Sequence, residues 1–322
     1  MKINSKKFIL LFIALSLLLA VFTHVQASSK PIPQQGVVWQ DSNVYVTFKY
    51  TPKVDMHLVY GLCGINNTFN LKAIYLTNNT KKVFPWITRK SKLFMKSQTD
   101  WLGPYGVKSL TNDDGGSFTF TSGWHGSNGD GSGKPTAKTI SISVKVNGKP
   151  IKKNKSYYGN VEINVVNLIQ AYNTKKAGTY ALKEAVNFKF TPKKINIALN
   201  TTALDDVLLQ RYYGLQAQAY SWNGSIQYSN GITAKYGKYS DSGPLMNSPA
   251  YSFTLTSANK AYKLRAKIDK TYGLGNFESL SPDLPSIFLQ SYGKAYFNLV
   301  NGKDKKILKG NSFGWRGTYE FF

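Results

Sequence analysis

The chain has 322 residues, with 41 Lys and Arg against 16 Asp and Glu, so its formal net charge is +25. Its one cysteine, Cys63, excludes an internal disulfide framework, and stability has to come from core burial, which a chain this long can supply. Lysine is spread along the chain rather than gathered in a tail, which implies a basic surface that attracts polyanions and is screened by salt.

The first segment reads as an export leader. Lys2, Lys6 and Lys7 form a positive start, Phe8 to Val21 is apolar apart from Ser16, and Val25-Gln26-Ala27 offers a small-x-small cleavage site. The apolar run is shorter than the roughly 20 residues a membrane span needs. Residues 1–27 are therefore expected to be a signal peptide, with no later membrane span. The mature chain, 28–322, is expected to be one large β domain with a charge of +22, since the leader holds three lysines and no acid. Secretion makes nucleic acid an unsuitable partner and favours an anionic polysaccharide or a cell-envelope polymer. The short lysine-rich leader is of a bacterial kind. The sequence fixes no oligomeric state. Cys63, between Leu62 and Gly64, reads as a small buried hydrophobe.

Past the leader, alternation of period two dominates. Ile140, Ile142, Val144 and Val146 alternate with polar residues up to Asn147-Gly148, a type I′ turn signal, and Val161-Ile163-Val165 resume the pattern. Val186, Phe188 and Phe190 alternate up to Pro192, then Ile195, Ile197 and Leu199 alternate beyond it, which predicts a hairpin. The stretch Thr202–Leu215 suits a strand at least as well as a short helix. Tyr262, Leu264, Ala266 and Ile268 face one way while Lys263, Arg265 and Lys267 face the other. The fold class is therefore all-β, a large antiparallel β-sandwich with long Gly/Asn-rich loops, which are expected at 77–136 and 220–250. No short repeat points to a propeller or solenoid. One echo, Thr47–Lys53 against Asn187–Lys193, leaves open two related halves meeting near 150–180.

Segment 123–133 places Trp124, His125 and Asp130 among five glycines, a composition suited to an ordered functional loop. His125 and His57 are the two histidines beyond the leader. The segment Gln210-Arg211-Tyr212-Tyr213-Gly214 sets a cation beside two phenols. β-Elimination on a uronate needs a group that neutralises the carboxylate and a base tuned to the working pH. His125, His57, Arg211 and Tyr212 are the catalytic candidates for it. Sugar binding asks for less: aromatic faces for the rings and polar groups for the hydroxyls. Trp101, Trp124, Trp222 and Trp315 lie near Gly or Asn, and with Arg316, Asn128 and Asp130 they form the ligand-binding candidates. No zinc motif and no nucleophile elbow is present. No cofactor is expected. Calcium is the open alternative, on Asp113, Asp114 and Asp130 with Asn112 and Asn128, though their spacing is not that of an EF-hand.

The closing segment carries a resemblance. Gly293-Lys294-Ala295-Tyr296-Phe297-Asn298-Leu299-Val300 reads as a strand, followed by Asn301-Gly302 and by the terminal Gly314-Trp315-Arg316-Gly317-Thr318-Tyr319-Glu320-Phe321. This resembles the end of galactose-mutarotase-like β-supersandwich domains of carbohydrate-active proteins. The resemblance implies a sugar-facing scaffold. No segment matches the histidines and glutamate that sugar-isomerising members use, so it does not carry mutarotase activity with it. The first reading is a secreted protein that binds an anionic polysaccharide in a cleft roofed by the loop around His125. The alternatives are a lyase acting on a uronate polymer and a non-enzymatic basic envelope or adhesion protein.

Overall fold

Short polar turns between alternating segments let neighbouring strands pair in sequence order, and the amino-terminal part of the molecule is built this way. A computed structural model describes residues 32–235 and 245–322; the leader assigned to 1–27 lies outside the described residues. Strands β1 (Gln35–Gln40), β2 (Asn43–Thr51), β3 (Val54–Cys63), β4 (Thr68–Asn78) and β5 (Lys92–Lys96) form an antiparallel sheet. After β6 (Tyr105–Ser109) come β7 (Ala137–Val146), β8 (Lys149–Pro150) and β9 (Ser156–Tyr158), which joins β1 to complete a six-stranded sheet. Asn147 and Gly148 both take positive φ, as the type I′ turn between β7 and β8 demands.

A second, ten-stranded sheet contains β10 (Val161–Gln170), β11 (Tyr180–Thr191) and β12 (Lys194–Ala203) as consecutive neighbours. The expected hairpin turns at Pro192-Lys193, with Thr191 opposite Lys194. The same device, Thr51-Pro52-Lys53, turns β2 into β3. The echo therefore marks two hairpins. Across 150–180 β7 pairs with β10, within the unit Pro33–Phe322. Next come β13 (Val207–Tyr212), β14 (Gln216–Gln218), β15 (Ser225–Tyr228), β16 (Thr233–Lys235), β17 (Ser252–Thr256) and β18 (Lys263–Ile268). The segments expected to be long loops thus hold the short strands β5, β6, β15 and β16. A 3-10 turn at Gly273–Asn276 leads to β19 (Ser279–Leu280), β20 (Ile287–Gln290), β21 (Lys294–Phe297), β22 (Val300–Ile307) and β23 (Ser312–Phe321).

The fold is nearly all β and sandwich-like. The six-stranded sheet packs its Tyr60 ring edge-on against Phe188 and Phe190 of β11, at 5.4 and 5.5 Å. A four-stranded sheet, β19-β22-β13-β6, covers the other end of the same inner face, where Tyr105 donates to Glu184. The three-stranded sheet β14-β21-β20 packs Phe297 against Phe253 of β17. Buried aromatic pairs of this kind each add about 0.5–1.5 kcal/mol beyond their area. Every second residue of β11, β12, β18 and β23 enters this core. The intervening residues face outward, and many of them line a groove over that outer face. One expected alternation breaks. Ile140 is 49% exposed because it is the extra residue of a bulge: Ser141 and Thr139 pair with consecutive residues of β10 and leave Ile140 between them.

Candidate functional site

The loop at 122–133 is held by a buried charge cluster. Gly123 adopts a φ of 57°, and a Cβ there would collide with the Asp100 carboxylate, so glycine is required. Asp100 is fully buried and accepts the Trp124 backbone N–H at 2.6 Å. Its other oxygen faces His125 Nε2 at 3.3 Å and Lys294 Nζ at 3.5 Å. Burial pushes the Asp100 carboxyl up, but Lys294, His125 and the Trp124 amide outweigh it and hold it below the ordinary value. His125 Nδ1 lies 2.8 Å from the Gly129 carbonyl, which can only accept. Both ring nitrogens therefore face acceptors, and the imidazolium satisfies both. Burial opposes that charge, yet Asp100 and the Gly129 carbonyl raise the His125 pKa above 6.5. Lys294 donates to Thr99 Oγ1 at 2.8 Å and lies 4.6 Å over the Tyr296 ring. Burial lowers its pKa to about 8, against the pull of Asp100. Asn66 completes the clasp by donating to the carbonyls of Gly123 and His125. With both nitrogens facing acceptors, His125 fastens the loop to Asp100 and to the Gly129 carbonyl.

The other catalytic candidates do not join it. His57 is 1% exposed on β3, its two nitrogens each 2.8 Å from the hydroxyls of Thr47 and Thr77. Burial lowers its pKa to about 4, against Asp55, and the neutral ring fits because a hydroxyl can donate or accept. Tyr212 is wholly buried, stacked on Tyr105 at 4.4 Å, and accepts from Trp315 Nε1 at 2.9 Å. Burial and Glu184 drive its phenol far above the ordinary range. Arg211 lies over the Phe118 ring at 5.3 Å, and Phe118 and Phe120 stand between it and His125.

The ligand-binding candidates divide by exposure. Trp101, Trp222 and Trp315 are at most 2% exposed. They pack on Tyr319, on Phe94 and around Tyr212 respectively, so they are core residues with no face left for a sugar. Their nearness to Gly and Asn suggested loops, but burial of a large ring decides their place. Trp124 is half-buried beside Gly64, and the exposed Asn128 and Asp130 shape the loop through Ser132. Asp113 and Asp114 bind the amides of Gly115 and Ala177. Among the described residues no group of three or more His, Cys, Asp or Glu is placed to hold a metal ion. Cys63 is partly buried at the end of β3, and burial pushes its thiol up to about 12.

Arg316 alone of these candidates is exposed on the open face. It lines a groove of about 1230 Å³ that runs over the outer surface of β11, β12, β23, β18, β17 and β15. Six cations line it, Lys189, Lys194, Arg265, Lys267, Lys270 and Arg316, against the two carboxylates Asp269 and Glu320. Glu320 pairs with Lys194 at 3.6 Å and Arg265 at 3.3 Å. The Asp269 carboxylate is taken by the Thr271 hydroxyl and amide at 2.7 and 3.0 Å. Arg316 stacks over Tyr272 at 3.9 Å, which fixes its guanidinium plane. Asn187, Asn196, Gln227, Thr254 and Thr318 fill the space between the cations. No residue of the loop 122–133 lines this groove, so the expected roof is absent from it. The strand alternation Lys263-Arg265-Lys267 was the available signal. It reads as a solvated face until register shows which strands lie beside it.

No family model and no curated protein matches the chain. Among solved structures it is similar to the Slr1438 protein from Synechocystis sp. PCC 6803, at 9% identity over 90% of this chain and 97% of that one, with a TM-score of 0.37. A galactose mutarotase-like protein from Lactobacillus casei ATCC 334 matches at 11% identity, 86% and 100% coverage and a TM-score of 0.36. Another from Clostridium acetobutylicum matches at 10% identity, 89% and 98% coverage and a TM-score of 0.36. Two of these neighbours thus bear the name of the family that the closing segment resembles. Among the described residues no helix is long and apolar enough to cross a membrane.

Proposed function

We propose that this protein is exported by its amino-terminal leader and binds an acidic extracellular polysaccharide along the outer face of the ten-stranded sheet. The observation that supports this reading is the groove. It is open enough for a polymer, it holds more cations than its two carboxylates neutralise, and amides and hydroxyls lie between them. Such a surface attracts a polyanion at long range and meets sugar hydroxyls at short range. Binding rather than cleavage fits the side chains. Neither His57 nor His125 has a free nitrogen, and Tyr212 is sealed in the core.

A screen against acidic and neutral polysaccharides, run at low and at moderate salt, tests the reading. Groove binding keeps a preferred acidic polymer as ionic strength rises, because short-range hydrogen bonds add to the charge term. A protein whose basic surface only attracts polyanions would lose all of them together.

A further inference from the structure

The groove carries a pattern finer than net charge. Register sets Lys189 opposite Asn196, Asn196 opposite Thr318, and Thr318 opposite Lys267. All four side chains project outward, since their strand neighbours Phe188, Ile197, Tyr319 and Ala266 are buried. A single row therefore crosses β11, β12, β23 and β18 in the order cation, amide, hydroxyl, cation. Its ends are three strand spacings apart, about 14 Å. Neither Lys189 nor Lys267 forms a direct ion pair among the described residues, although Glu162 of β10 stands opposite Lys189 and Asp269 follows Lys267 two positions on.

The flanking rows sharpen the pattern. Along β23 the outward residues are Arg316, Thr318 and Glu320, so the strand passes from cation through neutral to anion. Glu320 pairs with Lys194 and Arg265 on either side of it, and the trio keeps a net positive charge. Asn196 and Thr318 carry no charge themselves, so a group lying over them is met by an amide and a hydroxyl.

We propose that this row selects acidic polysaccharides whose charged sugars are separated by uncharged ones, with the polymer lying across the strands between Lys189 and Lys267. The neutral sugar sits over Asn196 and Thr318, which offer hydrogen bonds to hydroxyls, and each acid meets one end cation. The inference rests on the polysaccharide reading and adds to it the charge spacing of the ligand.

Binding of four polymers of similar length, measured by biolayer interferometry at moderate salt, tests it: an alternating uronate–hexosamine polysaccharide, a homopolymeric uronate, inorganic polyphosphate and a neutral glucan. The alternating polymer is expected to bind about tenfold or more tighter than the homopolymer, a difference of about 1.4 kcal/mol. Lys189→Gln and Lys267→Gln should each remove most of that preference. A homopolymeric uronate or polyphosphate that binds as tightly as the alternating polymer overturns the spacing inference and leaves the groove a general polyanion site. Failure of every polymer to bind overturns the polysaccharide reading itself.

Discussion

The clasp around His125 and the groove around Arg316 are built from the same kinds of residue and have opposite fates. In the clasp, one carboxylate faces two cations, every nitrogen of His125 is engaged, and Lys294 is held by Thr99, Asp100 and the Tyr296 ring. In the groove, Lys189 and Lys267 stand on exposed strand positions and form no direct ion pair among the described residues, with Glu162 and Asp269 as their neighbouring acids. A charged side chain that is already satisfied and buried holds structure. One that is exposed and unsatisfied is available to a ligand. The difference lies in the partners, and residue type alone does not reveal it.

The sharpest way to break this contrast is to remove the clasp's anion. Asp100→Ala leaves two buried cations without their partner and should cost about 3–5 kcal/mol in urea unfolding. Arg316→Ala, on the open face, should change stability by no more than about 0.5 kcal/mol. Equal effects would erase the distinction. Next in size, Tyr212→Phe removes the acceptor for the buried Trp315 N–H and should cost about 1–3 kcal/mol, with no change in polysaccharide affinity. If Tyr212→Phe weakens binding without destabilising the fold, Tyr212 acts on a ligand after all.

A smaller effect separates the two histidines. By NMR, the His125 ring should titrate above 6.5 and His57 at about 4. Their contributions to stability have opposite signs. The native pKa of His125 is raised, so its contribution is complete below pH 6.5 and is lost as pH rises through the native value. The native pKa of His57 is lowered, so its contribution is present above 6.5 and is lost as pH falls toward 4. Lys294, held at about 8 rather than 10.5, gives stability that rises with pH between those values, so the His125 limb is read below pH 8. His125→Gln should flatten the neutral limb and His57→Gln the acid one. Unchanged limbs would show that neither ring is held as described.

Much of the scaffold was legible in the sequence. The alternations ending at Pro192 and resuming at Ile195 became β11 and β12, and Leu264-x-Ala266-x-Ile268 became the buried side of β18. Period-two patterning survives because one face of each strand is buried. Ile140 departed from it because a bulge in a long pairing leaves no local mark. The site was harder to read for the same reason. Asp100 and Lys294 are 194 positions apart in sequence and meet only through the β14–β21 sheet and the clasped loop. The cation row likewise draws one residue from each of four strands, and only register brings Lys189 and Lys267 into line. Tryptophans near glycine resembled binding-loop residues, yet Trp101, Trp222 and Trp315 are buried at most 2% exposed, because large rings follow burial rather than chain neighbours.

The most direct measurement sets the two regions against each other: the affinity of one acidic polysaccharide for the unaltered chain, for Arg316→Ala with Lys267→Gln, and for His125→Gln, all at a temperature where each is folded. The groove variant should lose affinity by about tenfold or more, while His125→Gln binds as the unaltered chain does. Loss of binding in His125→Gln with the groove variant unaffected would contradict the assignment and return the binding role to the loop.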